Sequence, residues 1–314
     1  MRFIKLANIL VLASPVLSKL DKPVLCPCVD FNHVDDDLFE ALPQTPHTLT
    51  KWPWGKLPKQ CKVLADQEGL NAYDMEVYDV LYEDCPQPWV ICQHHKSPNP
   101  VKDMADNFGR LPIGLRNYIR IQFAAPMLKN TTIGACTTYP RGDVIYYGNT
   151  TERLQDWVHE AIHGVDYYLG HKKYGKMFSD TDLFINEFNK DDFVSDDYAK
   201  LSYREAFAQM GVLATIEKFL PGRMASFQSN WNILSHQFAA VSTFLDETLS
   251  LDSTCDRVDK DYSEVVCMGP AAGCESPPSA KLRRRDNKAK ERGGSEPLTG
   301  KVLDTCEGQY DKPL

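Results

Sequence analysis

Beyond its first two dozen residues the chain has no apolar run approaching the roughly 20 consecutive positions that a membrane-crossing helix needs, so no membrane span is expected. It has no internal repeat of the kind that builds a solenoid or propeller. No two cysteines stand in C-x-x-C spacing, and Cys26-Pro27-Cys28 is too tight for most structural zinc sites, which argues against a cysteine-held zinc. Positive charge is also scarce in the body. The net charge is −8, although Lys281, Arg283, Arg284, Arg285, Lys288, Lys290 and Arg292 crowd together against Asp286 and Glu291. The rest of the chain is therefore more acidic than the total, which argues against nucleic acid as a partner. The basic run itself reads as a solvated tail.

What the sequence does contain points to export. Arg2 and Lys5 precede an apolar stretch from Leu6 to Val16, and Val16 and Ser18 occupy the −3 and −1 positions of a cleavage site before Lys19. Residues 1–18 therefore read as a signal peptide and the protein as secreted. The ten cysteines, Cys26, Cys28, Cys61, Cys85, Cys92, Cys136, Cys255, Cys267, Cys274 and Cys306, are an even set suited to disulfides of open pairing. Asn130-Thr131-Thr132 and Asn149-Thr150-Thr151 are N-glycosylation sequons, making Asn130 and Asn149 candidate glycan sites.

With 43% hydrophobic and 11% aromatic residues in 314, the chain can bury a substantial core. Residues 19–58, rich in Pro, His and Asp, read as an extended, disulfide-linked arm. Residues 59–268 carry the periodic segments of one domain. Helical patterns cover 59–68, Val101 to Phe108 and Ile113 to Tyr118, and strand patterns cover Tyr73 to Tyr82 and Ile119 to Ala124. Thr131 to Thr138 and Asp143 to Tyr147 form the clearest strand pair, joined by the turn Tyr139-Pro140-Arg141-Gly142. A helix follows, with Asn149 and Glu152 as its start signal and Leu154, Trp157, Val158, Ala161, Ile162 and Val165 on its buried face. A second long helix begins at Ser202 and ends at Pro221-Gly222, and a third runs from Ser226 to Leu249. Residues 269–314 read as a flexible basic tail that Cys274 and Cys306 could pin, with Arg284-Arg285 as a dibasic processing site.

The chemistry concentrates in His159-Glu160-Ala161-Ile162-His163. Two histidines four apart project from one helix face and can share a zinc ion. Glu160 between them can reach a water on that ion and take its proton. A catalytic zinc needs a third protein ligand, and Glu205 at the start of the next long helix is the candidate. Taken alone, Ser202-x-x-Glu205 is equally a capping box. Asp166, three residues past His163, is placed to hold a histidine N–H from behind, or is simply a surface carboxylate. Tyr198 can donate to an oxyanion, or is one more half-buried tyrosine. His33, His47, His94, His95, His171 and His236 lack ligand spacing and read as surface or core residues.

The blocks Trp157 to Asp166, Val194 to Ala199 and Glu205 to Gln209 resemble the secreted conidiation-specific protein 13 family of filamentous fungi. So do Tyr73 to Val77, Pro88 to Cys92 and Phe108 to Pro112, so the resemblance covers about residues 59–220. More distantly the same blocks are similar to the peptidase domain of anthrax lethal factor and its relatives. That resemblance implies zinc held by His159, His163 and Glu205, with Glu160 as base. It also implies an oxyanion donor at Tyr198, seven residues before the glutamate ligand. Tyr167 to Phe193 has no simple counterpart.

The expected fold is α+β and zincin-like. A small, twisted, mostly antiparallel sheet packs on the motif helix, and a helical C-terminal half closes the cleft. The expected function is hydrolysis of peptide bonds in a peptide or protein substrate. The Asp143 to Tyr147 strand would act as the edge that pairs with substrate. The alternative is a non-catalytic secreted protein of the spore or host interface on the same scaffold. A secreted zinc peptidase needs inhibition before export, and only the short arm from Lys19 to about Leu57 could supply it, with Cys26 or Cys28 capping the metal. A small-molecule hydrolase or toxin-type effector is a third reading.

Overall fold

The computed structural model describes residues 20–29, 31–127, 133–259 and 263–272. The signal-peptide reading, Asn130, Arg284-Arg285 and nearly all of the basic tail lie outside the described residues. Among the described residues the chain is α+β, with nine α-helices and eight strands, and no helix is long and apolar enough to cross a membrane.

The N-terminal third contains α1 (Phe31–Ala41), β1 (His47–Lys51), β2 (Lys56–Pro58), α2 (Lys59–Gln67), β3 (Met75–Tyr82) and β4 (Trp89–His94). Next come α3 (Val101–Arg110), α4 (Ile113–Arg116), β5 (Ile121–Ala125), β6 (Gly134–Thr138) and β7 (Asp143–Tyr147). The remainder is α5 (Leu154–Tyr174), α6 (Asp182–Lys190), α7 (Tyr203–Phe219), α8 (Met224–Phe227), α9 (Ser235–Leu245) and β8 (Val265–Cys267).

Six strands form one mostly antiparallel sheet in the order β1-β3-β4-β5-β7-β6. β4, β5 and β7 run parallel, while the β1–β3, β3–β4 and β6–β7 pairs are antiparallel. Helices or small strands cover both faces, so β5 and β7 are buried along their whole length, the polar Gln122 and Asp143 included. Alternation along β7 divides its side chains. Val144 and Tyr146 enter the large core under the helices, whereas Ile145 and Tyr147 enter a smaller core with α2 and the β2–β8 pair. Trp157 of α5 stacks on Tyr146 with ring centroids 3.9 Å apart, which seats the motif helix on the sheet. Across the helix, Gly211 of α7 faces Ile162 of α5. A Cβ on Gly211 would stand 2.6 Å from the Ile162 side chain, so the missing side chain lets the two helices approach closely.

Several expectations are corrected. Residues 19–58 are not a separate extended arm. They supply α1 and two strands, with Leu57 of β2 buried, and Val34, Leu38 and Leu42 are in the core because an i, i+4, i+8 apolar stripe runs through and just past the acidic residues of α1. Nor does packing stop at residue 268, since the Ala271 N–H donates to the Tyr73 hydroxyl at 2.8 Å and Ala272 is buried. Asn149 does not cap α5. Its Oδ1 accepts from the N–H and hydroxyl of Thr151, and the Gln155 N–H at the helix start donates to Asp35 of α1 at 2.7 Å. The expected helix from Ser226 to Leu249 is broken into α8, a single turn at Trp231–Leu234, and α9. The β6–β7 turn falls where the sequence placed it, with Gly142 at φ 69° against the Tyr118 carbonyl.

Cys26–Cys28, Cys61–Cys92 and Cys85–Cys255 are disulfide-bonded, and Cys136 and Cys267 are also in disulfides. Because Cys26 and Cys28 are joined to each other, neither is a thiolate able to cap a metal.

Candidate metal centre

α5 carries His159, Glu160 and His163 on a helix whose other face is fixed by Trp157, Val158, Ala161, Ile162 and Val165, all fully buried. The helix ends at Gly175 in the left-handed region (φ 75°), after His171, Lys172 and Lys173 in its last turn. α7 begins at Ser202, whose hydroxyl oxygen accepts from the Glu205 N–H at 3.2 Å. The Glu205 carboxylate does not complete a capping box. It turns to α5, where Oε2 lies 3.0 Å from His159 Nε2 and 3.4 Å from His163 Nε2. The two Nε2 atoms are 3.0 Å apart.

These three atoms form a triangle with edges of 3.0, 3.0 and 3.4 Å. Ligands placed tetrahedrally at the usual zinc distances of about 2.0–2.1 Å stand about 3.3 Å apart, so the donor set fits that ion in type and in size. All three side chains are almost completely buried. Two imidazole lone pairs and a carboxylate converging in a buried site repel unless a cation lies among them. Without a metal, a proton takes that place. Burial opposes charge on His163, but the adjacent Glu205 carboxylate outweighs it and lifts the imidazole to about 9. Burial likewise works against the Glu205 charge, and the two histidines overcome it and hold the carboxyl far below its ordinary value.

Glu160 points into the same space. Its Oε2 accepts from the Thr137 hydroxyl of β6 at 2.7 Å. Burial raises its pKa, offset in part by His163, His159 and Thr137. That is the direction that makes a carboxylate a better proton acceptor. Tyr198 is 39% exposed, with its ring 5.7 Å from that of His159 in an edge-on arrangement. It borders an open cleft together with Thr137, Tyr139, Glu160, His163, Arg204 and Glu205. β6 is the edge strand beside the cleft and β7 is interior, so the expected substrate-pairing edge moves from Asp143–Tyr147 to Gly134–Thr138.

Asp166 does not hold a histidine. Its oxygens accept from the N–H and hydroxyl of Ser179, which fastens the turn after α5. Burial pushes its carboxyl up to about 6 against those bonds. The residue that supports a histidine is one the sequence reading missed. Gln209 places Oε1 2.8 Å from His159 Nδ1. It stands one helical turn after Glu205, a spacing that puts both on one face of α7. Asn149 is exposed, as a glycan site requires.

Asp74, His94 and His95 make a second group whose polar atoms lie close enough to share an ion. The Lys96 N–H donates to His94 Nδ1 at 3.1 Å, which puts the proton of a neutral ring on Nε2, the atom facing Asp74. That atom then has no lone pair to offer an ion.

The model of the family described as conidiation-specific protein Con-13 matches residues 30–312. The chain belongs to the Con-13 family. Conidiation-specific protein 13 of Neurospora crassa is 30% identical over 240 residues, covering 74% of this chain and 67% of that protein. No solved structure matches the chain. The Con-13 match begins at residue 30, within the N-terminal region whose helix α1 packs on α5 and α7, so family and fold agree that this region belongs to the domain.

Proposed function

We propose that this Con-13 protein is an exported, zinc-dependent peptidase that acts during conidiation, on a zincin-like arrangement of sheet and motif helix. The observation that carries the reading is the buried triangle of His159, His163 and Glu205 with the Glu160 carboxylate beside it. The family name supports the link to conidiation. The disulfides support export, since such bonds persist in oxidising compartments.

His159, His163 and Glu205 would hold the zinc, which when bound supplies Lewis acidity and a water acidified to near-neutral pKa. β6, the last strand of the sheet among the described residues, would pair with an extended peptide, so the scissile carbonyl comes to lie along Ala135–Thr137. Thr137 holds the Glu160 carboxylate at the cleft wall. Glu160 accepts the proton of the attacking water and delivers it to the leaving amine nitrogen. The Tyr198 hydroxyl donates to the oxygen of the carbonyl as negative charge grows on it.

The test is incubation of zinc-loaded protein with a mixture of unstructured peptides, read by mass spectrometry. New termini that disappear on chelation support a peptidase. Intact peptides alongside bound zinc favour the non-catalytic scaffold.

A further inference from the structure

An ionised carboxylate accepts hydrogen bonds and donates none. That fact propagates through three residues. Asp196 Oδ1 takes the Ala199 N–H at 2.9 Å and the Ser195 hydroxyl at 3.4 Å, donors that oppose the upward push of burial on its pKa. Its Oδ2 takes the Gln209 side-chain N–H. The Gln209 amide is thereby oriented, with Nε2 toward Asp196 and Oε1 toward His159 Nδ1 at 2.8 Å. An amide oxygen can only accept, so Nδ1 carries the ring's proton. Nε2 is left with its lone pair, and Nε2 is the atom that faces Glu205 and His163.

The loop bearing Asp196 also bears Tyr198, and it is pinned from its far side. The Val194 N–H donates to the Pro23 carbonyl at 3.0 Å, the Leu25 N–H to the Val194 carbonyl at 2.8 Å, and the Leu20 N–H to the Lys200 carbonyl at 2.7 Å. Val194, Ser195 and Ala199 are fully buried. The loop therefore has little freedom to shift, and rotation of the Gln209 amide is the response open to a change at position 196.

We propose that Asp196 and Gln209 are a pair of positioning residues that preset His159 as a metal ligand and, through the same carboxylate, tie it to the loop presenting Tyr198. This rests on the metal-centre reading above. It assigns to Asp196, which touches neither ion nor substrate, control over the protonation site of a ligand.

The experiment is a reversal of hydrogen-bond polarity. Asp196→Asn supplies a donor where the carboxylate was, so the Gln209 amide turns over and presents its N–H₂ to His159 Nδ1. The ring then protonates at Nε2, toward the ion. We expect zinc affinity, measured by chelator competition, to fall about 10–100-fold, the range for loss of a ligand's outer partner. In ¹⁵N-histidine spectra the His159 proton should move from Nδ1 to Nε2. Adding Gln209→Glu to Asp196→Asn restores the original polarity, because the new amide donates to the new carboxylate and the carboxylate accepts from Nδ1. The double variant should regain both the tautomer and most of the affinity, which general loss of packing cannot explain. Wild-type affinity and tautomer in Asp196→Asn overturn the proposal. So does a double variant no better than the single, whether by misfolding or otherwise. Wild-type protein that takes up no zinc contradicts the metal-centre reading instead, and the His159 tautomer in the zinc-free variants then decides this inference alone.

Discussion

The Glu205 carboxylate lies 3.0 Å from His159 Nε2, forty-six residues earlier in the chain and on a different helix. The contact depends on α5 and α7 packing side by side, and it brings a carboxylate up to the two histidines of the helix motif.

Glu160→Gln should lower peptide hydrolysis about 10²–10⁴-fold, the usual contribution of a positioned general base. The amide can still accept from Thr137, so the cleft wall stays in place. Zinc content should be unchanged. Steady-state rates beside metal analysis check both; full activity in this variant would remove Glu160 from the mechanism.

Tyr198→Phe should reduce kcat about 10²–10³-fold, as removal of an oxyanion donor does, with KM nearly unchanged. The ring can keep its edge-on contact with His159. A rise in KM at constant kcat would instead make Tyr198 a binding residue.

The Arg120 side chain donates from Nε to Asp143 Oδ1 at 2.8 Å and from Nη2 to Oδ2 at 2.5 Å, and both residues are buried. Arg120→Met leaves the Asp143 carboxylate buried beside a neutral chain. Urea denaturation should show a loss of about 3–5 kcal/mol.

Asp35 of α1 accepts the Gln155 N–H at the start of the motif helix. Burial lifts its carboxyl from 3.8 to about 7, against the pull of that N–H. Between those pH values the folded chain holds a proton that the unfolded chain releases. The stability contributed by the protonated group is therefore full below the unfolded value and is lost as the pH rises through about 7. Melting temperatures across that range should fall more steeply for wild type than for Asp35→Asn. Parallel curves would show that Asp35 does not titrate there.

His159, Glu160 and His163 were legible in the sequence because a helix converts spacing directly into a shared face. Glu205 was legible only as an ambiguity, and the structure explains why: its backbone takes the Ser202 cap while its carboxylate serves the histidines. Gln209 carried a signal, its one-turn step from Glu205, but a glutamine four residues from a glutamate is too common to stand out. Asp166 had good spacing on the wrong evidence, because Ser179 arrives from a turn whose path no local pattern reveals. The β6–β7 hairpin was readable from its turn residues. Which of the two strands is the edge was not, because β5 pairs with β7 from twenty-odd residues upstream. α1 was hidden by its charged residues, although Val34, Leu38 and Leu42 carry a helical period.

The central claim is that His159, His163 and Glu205 hold a zinc ion. Metal analysis of purified wild-type protein beside His163→Ala tests it most directly. One zinc per chain in the wild type, lost in the variant, is the predicted result. Wild-type protein that remains without zinc after metal-free purification and zinc re-addition would contradict it, leaving the His163–Glu205 pair as a buried structural ion pair.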